Sequence, residues 1–320
     1  MREAGYYLGF IGKWGVGQPP EGLFDYNKGW PGQNQYYQKV RGEDPFEYLT
    51  PGAGQDGQPA FHQFPYDAHL HSMYRDVLIP PAPLSEPAFF EALPELLKTS
   101  ENRVRWQVRF ATPEMYQESV KAYYRLISGV DIVVGRIVQK LDELGLDDNT
   151  IILYTGDNGF YLGERGLAGK WFPHEPSIRV PLVVYDPRLP AGQRGTRRAQ
   201  MVLSIDLAPT MLAMAGVQIP ERVQGESLGP LIAGEHPAWR TEFFYEHLFQ
   251  HPRIPRTEAV RDTRYKFIRY LDAEPPYEEL YDLENDPPEA HNLADDPSPA
   301  HAVVLERMRQ KWQARRERAK

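Results

Sequence analysis

Residues 113–144 constrain the fold of this chain more than any other stretch. Val120, Tyr124, Ile127, Val130, Val134, Ile137, Leu141 and Leu144 step by three or four positions, which lines them along one face of a single long helix. Thr112 predicts the N-cap, Pro113 fits the first helical position, and Gly145 predicts the stop. So long an apolar stripe needs a layer to pack against. The next run, TIILYT at 150–155, is β-branched and of strand length, and reads as a strand covered on both faces. VPLVVY at 180–185 reads as a second such strand, and SIDLAPTMLAMAG as a helix starting near Asp206 and ending at Gly216. The alternation predicts an α/β core with a largely parallel sheet.

Upstream, the short apolar run from Tyr7 to Gly12, bounded by glycines, reads as a buried strand ending at Lys13. Residues 41–113 are dense in Pro, Gly and Gln without a sustained period, the mark of a functional surface loop or of a deletion. From about Trp239 the pattern changes: FFYEHL, EAVRDTRYKFIRY and EELYDLEND alternate apolar and polar residues, as antiparallel strands with one wet face do. A basic helix over 302–320 closes the chain, and its cations are expected to complement its own dipole. The predicted organisation is a core over 1–238, with 41–66 irregular, and a C-terminal antiparallel subdomain with a terminal helix over 239–320.

Composition narrows the function. A net charge of −8 argues against a dedicated nucleic-acid binder. The absence of cysteine excludes disulfides, zinc–thiolate sites and a cysteine nucleophile in this chain. No apolar run is long enough to span a membrane, and the first residues lack the apolar segment of a signal peptide.

The chemistry concentrates in Thr155-Gly156-Asp157-Asn158-Gly159, placed directly after a strand. Ligands of open α/β sheets bind beyond the carboxyl ends of strands. A carboxylate beside an amide oxygen suits a hard cation such as Ca²⁺ or Mg²⁺, although the same pentapeptide is also a plain turn. Gly163-Glu164-Arg165-Gly166-Leu167-Ala168-Gly169-Lys170-Trp171 follows, presenting one cation among small residues, and Gly12-Lys13-Trp14 repeats the arrangement. Neither lysine is followed by Ser or Thr as a P-loop requires. Two such elements and an acidic corner suggest a site for a tetrahedral oxyanion. His247 and His251 have helical spacing but no third ligand, and read as surface residues.

These segments resemble the sulfatases. GYYLGFIGKWGVG is similar to their signature G-Y-x-T-x-x-x-G-K-W-H-x-G, and NTIILYTGDNGFYLGERGLAGK to their metal-ligand strand and loop. WFPHEPSIRVPLVVYDPRLP carries a Glu-x-x-x-Arg-x-Pro core, and SIDLAPTML and EELYDLENDPPEAHNLA resemble the later helix and C-terminal tail. The order is colinear and covers nearly the whole chain outside 41–65. The resemblance implies an alkaline-phosphatase-like α/β sandwich, N-terminally truncated, with a mostly parallel central sheet and a small C-terminal antiparallel α+β subdomain. It implies hydrolysis of sulfate esters, those of sulfated carbohydrates above all, and a periplasmic or secreted setting. Asp157 and Asn158 then correspond to two ligands of one divalent cation, Ca²⁺. Lys13 corresponds to a lysine on the sulfate oxygens and Lys170 to one on the sulfate and leaving oxygen. Arg165, where many relatives have His, is expected to contact an anionic substrate.

The departures lie at the nucleophile. Sulfatases convert the Cys or Ser of a Cys/Ser-x-Pro-x-Arg motif to formylglycine. Here Ser85-Glu86-Pro87-Ala88 begins like that motif, but Phe89 stands in place of Arg. The early Asp-Asp metal pair is missing, since Asp147-Asp148 follow a helix. Gly15 replaces the signature His, and His62, His69 and His71 lack the family's Ala-Pro-His context. Met1 is thus expected to stand inside the family's domain, and this chain alone to be catalytically incomplete. The alternatives are a non-catalytic remnant binding sulfated glycans, or a phosphatase or phosphodiesterase of the same superfamily.

Overall fold

The computed structural model describes residues 1–14, 22–31, 64 and 66–319. Gly15, His62 and nearly all of the irregular stretch at 41–66 lie outside them. By backbone packing the chain divides into two units, one holding the described residues of 1–47 and 189–239, the other those of 48–188 and 240–320. The change of sequence pattern near residue 239 coincides with a passage between them.

In the first unit, β1 (Gly9–Trp14) pairs in parallel with β2 (Tyr26–Pro31), Lys13 lying opposite Trp30. Exposure alternates along β1, because only one face is covered: the Phe10 ring packs on Trp14 and Phe24, with centroids 5.3 and 5.2 Å away. The expected buried strand is therefore a half-exposed one, and Ile11 is open on its bare face. Farther along, α6 (Leu207–Met214) starts after Asp206, whose carboxylate accepts from the backbone N–H of Leu203 and Glu226, and stops before Gly216, at φ 67°. A short helix, α7 (Gly229–Ile232), follows.

The second unit carries three short helices, α1 (Pro87–Glu91), α2 (Glu95–Lys98) and α3 (Glu101–Gln107), before the long α4 (Pro113–Glu143). The signals that predicted α4 are its actual ends: the Thr112 hydroxyl accepts from Met115 N, and Gly145 turns the chain at φ 62°. Its buried residues, Ser119, Val120, Ala122 and Arg125, all fall in the first half, Val120 packing with Ile79, Phe110 and Ala168. Ile127, Val130 and Ile137, on the same stripe, are exposed in the structure.

After α4 come β3 (Ile152–Thr155), the hairpin of β4 (Tyr161–Leu162) and β5 (Ala168–Gly169), α5 (Glu175–Ile178) and β6 (Leu182–Tyr185). β3 and β6 pair antiparallel, Leu153 opposite Val184. Among the described residues the expected parallel pairing is therefore seen for β1 with β2 and not for this pair. The connection returns through a hairpin and a four-residue helix, and has no crossover helix long enough to bring the chain back to the starting end. Nor is the pair covered on both faces, since Tyr154, Val183 and Tyr185 are exposed.

The C-terminal strands form the expected antiparallel sheet: β7 (Glu242–His247), β8 (Thr257–Asp262), β9 (Tyr265–Tyr270) and β10 (Tyr277–Asp282), in the order β10-β9-β8-β7. One face shares a core with the helix–hairpin region, where Leu93, Leu97, Tyr161, Leu167 and Phe172 meet Ala259, Ile268, Tyr270 and Tyr281. The other face receives α8 (Pro299–Ala319), whose Leu305 and Met308 pack on Val260, Phe267 and Leu280. Each such side chain contributes roughly 1.5–3 kcal/mol by burial. The cations of α8 serve the sheet more than the helix dipole: Lys311 meets Asp262 at 2.7 Å and Glu242 at 2.9 Å, Arg315 also reaches Glu242, and Arg316 reaches Glu258.

A buried ionic network ties the loop after β5 to this sheet. Lys266, 1% exposed, donates to Glu175 and to Glu289, both at 2.7 Å. Desolvation pushes the Glu175 carboxyl up, but the charge and hydrogen bond of Lys266 together with the Arg261 and Arg179 charges outweigh it and leave the group below its ordinary range. Replacing Lys266 with Met strands the buried Glu289 carboxylate and leaves Glu175 with Arg261 alone, and is expected to cost about 3–5 kcal/mol in urea unfolding. At the sheet edge, hydrogen bonds from Arg264 hold the Asp282 carboxyl at about 2, below its ordinary 3.8. The stability this pair gives is full above pH ~4 and is lost as the pH falls towards 2. Arg264→Met should therefore be less stable than the parent at neutral pH, with the difference closing over that acid window in thermal melts followed by circular dichroism.

Candidate functional site

β3 ends at Thr155, and the chain turns through Gly156-Asp157-Asn158-Gly159. The turn is fixed by a close approach. A Cβ on Gly159 would lie 2.1 Å from the Pro176 carbonyl oxygen, and the Gly159 N–H donates to the Ser177 carbonyl at 2.8 Å. Within it, Asp157 Oδ1 accepts from Asn158 N at 2.8 Å, and the Asn158 amide nitrogen donates to the Gly159 carbonyl. The remaining amide oxygen, Asn158 Oδ1, accepts from Lys170 Nζ at 2.7 Å. The acidic corner and the second lysine, twelve residues apart in sequence, thus meet in space as the sequence led us to expect.

Lys170 is held by a loop clamped at several points. Gly169, at φ 102°, pairs with Tyr161 across the hairpin. The side chain of Asn102, fully buried on α3, donates to the Lys170 carbonyl at 2.8 Å. Trp171 sits at φ 89°, a conformation that costs an aromatic residue of order 1–3 kcal/mol. Its carbonyl accepts from the Tyr245 hydroxyl at 2.9 Å, and the Arg105 guanidinium lies 4.7 Å over its ring. Four residues after Lys170, His174 is fully buried between the Tyr161 hydroxyl on Nδ1, at 2.5 Å, and Glu279 on Nε2, at 2.9 Å. Burial pushes the Glu279 carboxyl up, and His174 with the other donors brings it below its ordinary range.

The other expected residues have surroundings of their own. Arg165 is turned inward and is not on an exposed loop. It is buried, 5% exposed, at φ 57°; it donates to the Glu289 carbonyl and its guanidinium lies over the Tyr281 ring. A guanidinium taken out of water needs such partners, which explains its inward turn. Lys13 is exposed on β1 of the first unit. His69 pairs with Asp67 at 2.6 Å and His71 with the Tyr66 hydroxyl at 2.8 Å, both near the surface.

His247 was read as a surface residue, and the structure revises this. It ends strand β7 two residues after Tyr245, on the same side of the strand. It is half-buried, and its Nδ1 has no hydrogen-bond partner among the described residues. Desolvation holds its pKa down, with the Lys170 charge adding to the effect. Nothing in the sequence marks it, because the strand pairing and loop packing that bring it near Lys170 join distant segments.

The end of β3 thus brings the oxygens of Asp157 and Asn158 together with the Lys170 ammonium on a loop clamped by a buried network. Comparison with known proteins then decides the relationship. Residues 1–217 match the sulfatase family, and residues 163–318 match the C-terminal region of N-sulphoglucosamine sulphohydrolase. The chain belongs to the sulfatase family. It is 36% identical over 180 residues to an N-acetylglucosamine-6-O-sulfatase of Bacteroides thetaiotaomicron, covering 54% of this chain and 32% of that protein. Among solved structures it superposes on a protein bound to its substrate D-glucosamine-2-N,6-O-disulfate, with a TM-score of 0.56, 30% identity and coverage of 64% of this chain and 42% of that one. It also superposes on the phosphonate monoester hydrolase of Silicibacter pomeroyi, with a TM-score of 0.69, 27% identity and coverage of 80% and 54%. The chain spans about a third to a half of the length of the curated relatives it matches. These neighbours establish the alkaline-phosphatase-like α/β fold with its C-terminal antiparallel sheet.

The family's calcium can be tested against this corner. Ca²⁺ takes six to eight oxygens. Asp157 and Asn158 are of the right chemistry, but the amide oxygen already accepts from Lys170, and no group of three His, Cys, Asp or Glu able to hold a metal occurs among the described residues. The described residues do not by themselves make a calcium site, so no chemical step is assigned to the ion. Calorimetric titration of this chain with Ca²⁺ should show no sub-micromolar binding; a tight stoichiometric site would contradict the assignment.

Proposed function

We propose that the chain binds the sulfate group of sulfated carbohydrates at Lys170, that Lys13 is a sulfate-contacting lysine as in the family signature, and that the chain does not by itself hydrolyse them. The observation that carries this reading is the 2.7 Å contact of Lys170 with Asn158, beside Asp157 at the end of β3, in a chain of the sulfatase family. Cleavage of a sulfate ester builds charge on the bridging oxygen, so an ammonium fixed there stabilises the transition state more than the ground state. A fully hydrated, mobile lysine would contribute less. The strained and clamped loop around Trp171 keeps Lys170 in one place.

Asp157 and Asn158 are the residues that would lie on a divalent cation in this reading, with calcium as the family's ion. The nucleophile is the group this chain does not offer. It has no cysteine, and Ser85 lacks the arginine four positions on, where Phe89 stands. Binding without turnover is the expected result.

Likeness to a phosphonate monoester hydrolase favours a second reading, a site for phosphate or phosphonate esters. Affinity separates the two. Calorimetry should show N-acetylglucosamine 6-sulfate binding better than 4-nitrophenyl phenylphosphonate, and Lys170→Ala should remove the sulfated-sugar binding. Purified chain should give no 4-nitrophenol from 4-nitrophenyl sulfate. Robust release, or sugar binding indifferent to Lys170, would overturn the proposal.

A further inference from the structure

One residue holds the lysine loop at both ends. The backbone of Tyr161 pairs with Gly169, directly before Lys170, and its hydroxyl meets His174 Nδ1 at 2.5 Å, beyond the far side of the loop. Residues 169–174 are thereby closed into a clasp with Lys170 inside it. The geometry points to Tyr161 and His174 as a positioning pair for Lys170, whose hydrogen bond keeps the two arms of the loop together and so fixes where the ammonium stands. The inference rests on the sulfate reading of Lys170 and says what holds that group in place.

The proton inventory of the clasp leaves one arrangement. Glu279 faces His174 Nε2 at 2.9 Å, and its carboxyl lies below the ordinary range, so it is a carboxylate that only accepts. Nε2 therefore carries a proton. Burial pushes the Tyr161 phenol far up, so it keeps its proton as well. His174 is its one hydrogen-bond partner among the described residues, and Tyr161 is fully buried. A proton on Nδ1 would leave the phenol proton without an acceptor in the interior, which is costly. Tyr161 thus donates to Nδ1, and Nε2 donates to Glu279. The ring is fixed from both sides, and Glu279, which also accepts from the Tyr270 hydroxyl at 3.2 Å, ties it to β10.

The loop needs such a closure. Trp171, at φ 89°, is in a conformation that relaxes when an end of its loop is released. Asn102 and Tyr245 hold the carbonyls of Lys170 and Trp171 from α3 and β7, but neither joins one arm of the loop to the other. A long side chain keeps a single contact, here Lys170 Nζ on Asn158 at 2.7 Å, only while its backbone is held.

The test uses the full chain, titrated calorimetrically with N-acetylglucosamine 6-sulfate, and the Lys170 ammonium resonance of ¹⁵N-lysine protein, assigned by its loss in Lys170→Arg. Tyr161→Phe deletes the hydroxyl. His174→Gln keeps a donor for Glu279 and loses the acceptor for Tyr161. Each should weaken the sugar about tenfold, the worth of one buried hydrogen bond, and broaden the resonance as Nζ exchanges faster with water. The double variant should also lose about tenfold, not a hundredfold, because both changes open one clasp. Tyr270→Phe removes a buried hydroxyl from Glu279 outside the loop, and should lower the melting temperature with affinity and resonance unchanged. Near-UV circular dichroism verifies folding; should one loop variant not fold, the other decides. Equal weakening by Tyr270→Phe, additive effects of the two loop variants, or affinity and resonance unchanged in both overturns the pair. ¹⁵N-histidine spectra showing His174 protonated at Nδ1 overturn it too. If the parent does not bind the sugar, or binding survives Lys170→Ala, the sulfate reading falls, and the resonance alone judges the clasp: lost in Tyr161→Phe and kept in Tyr270→Phe upholds it, and any other pattern overturns it.

Discussion

Two carboxylates inside the larger unit, Glu279 and Glu289, set the terms for the rest of the structure. Neither is tolerable in a protein interior without cations or donors. Glu279 has His174 and the Tyr270 hydroxyl, and Glu289 has Lys266 and, on its carbonyl, Arg165. The partners come from two segments about a hundred residues apart in the sequence. Arg165, His174 and Glu175 belong to the segment around Lys170, while Lys266, Tyr270, Glu279 and Glu289 belong to the C-terminal sheet and its exit. Satisfying these charges therefore docks the lysine loop onto the sheet in a single arrangement, as a fully bonded polar cluster does.

That docking gives the candidate site its stiffness. Lys170 stands between Gly169, paired across a hairpin, and Trp171, held at an unfavourable backbone angle by Tyr245 below and Arg105 above. The lysine is thus presented by a loop with little room to relax, and it points at an oxygen of the adjacent turn. The clamps explain how a loop of small residues holds it.

Much of this was legible in the residues. The caps and stripe of α4, the antiparallel C-terminal strands, and the meeting of Asp157-Asn158 with Lys170 all follow from local chemistry or from resemblance carried residue by residue. Partner-dependent features were not. The direction in which β3 pairs is set by the path of its connection, which an apolar run does not encode. Arg165 stands in a loop sequence that suggests exposure, and only a carbonyl 124 positions away turns it inward. β2 escaped notice because YNKGWP reads as polar loop, although its backbone pairs with β1 throughout. His247 is marked in the sequence only by its spacing from His251, which says nothing of its place beside the folded sheet.

The contact of α8 with the sheet combines two kinds of force with different tolerances. Leu305 and Met308 lie in an apolar trough where one side chain could replace another. Arg309, Lys311, Arg315 and Arg316 each face particular carboxylates. Sliding the helix by one turn, about 5.4 Å, would still bury greasy surface but would break all four pairings. The last helix is consequently keyed as well as glued: oily contacts fasten it, and the charges choose the notch.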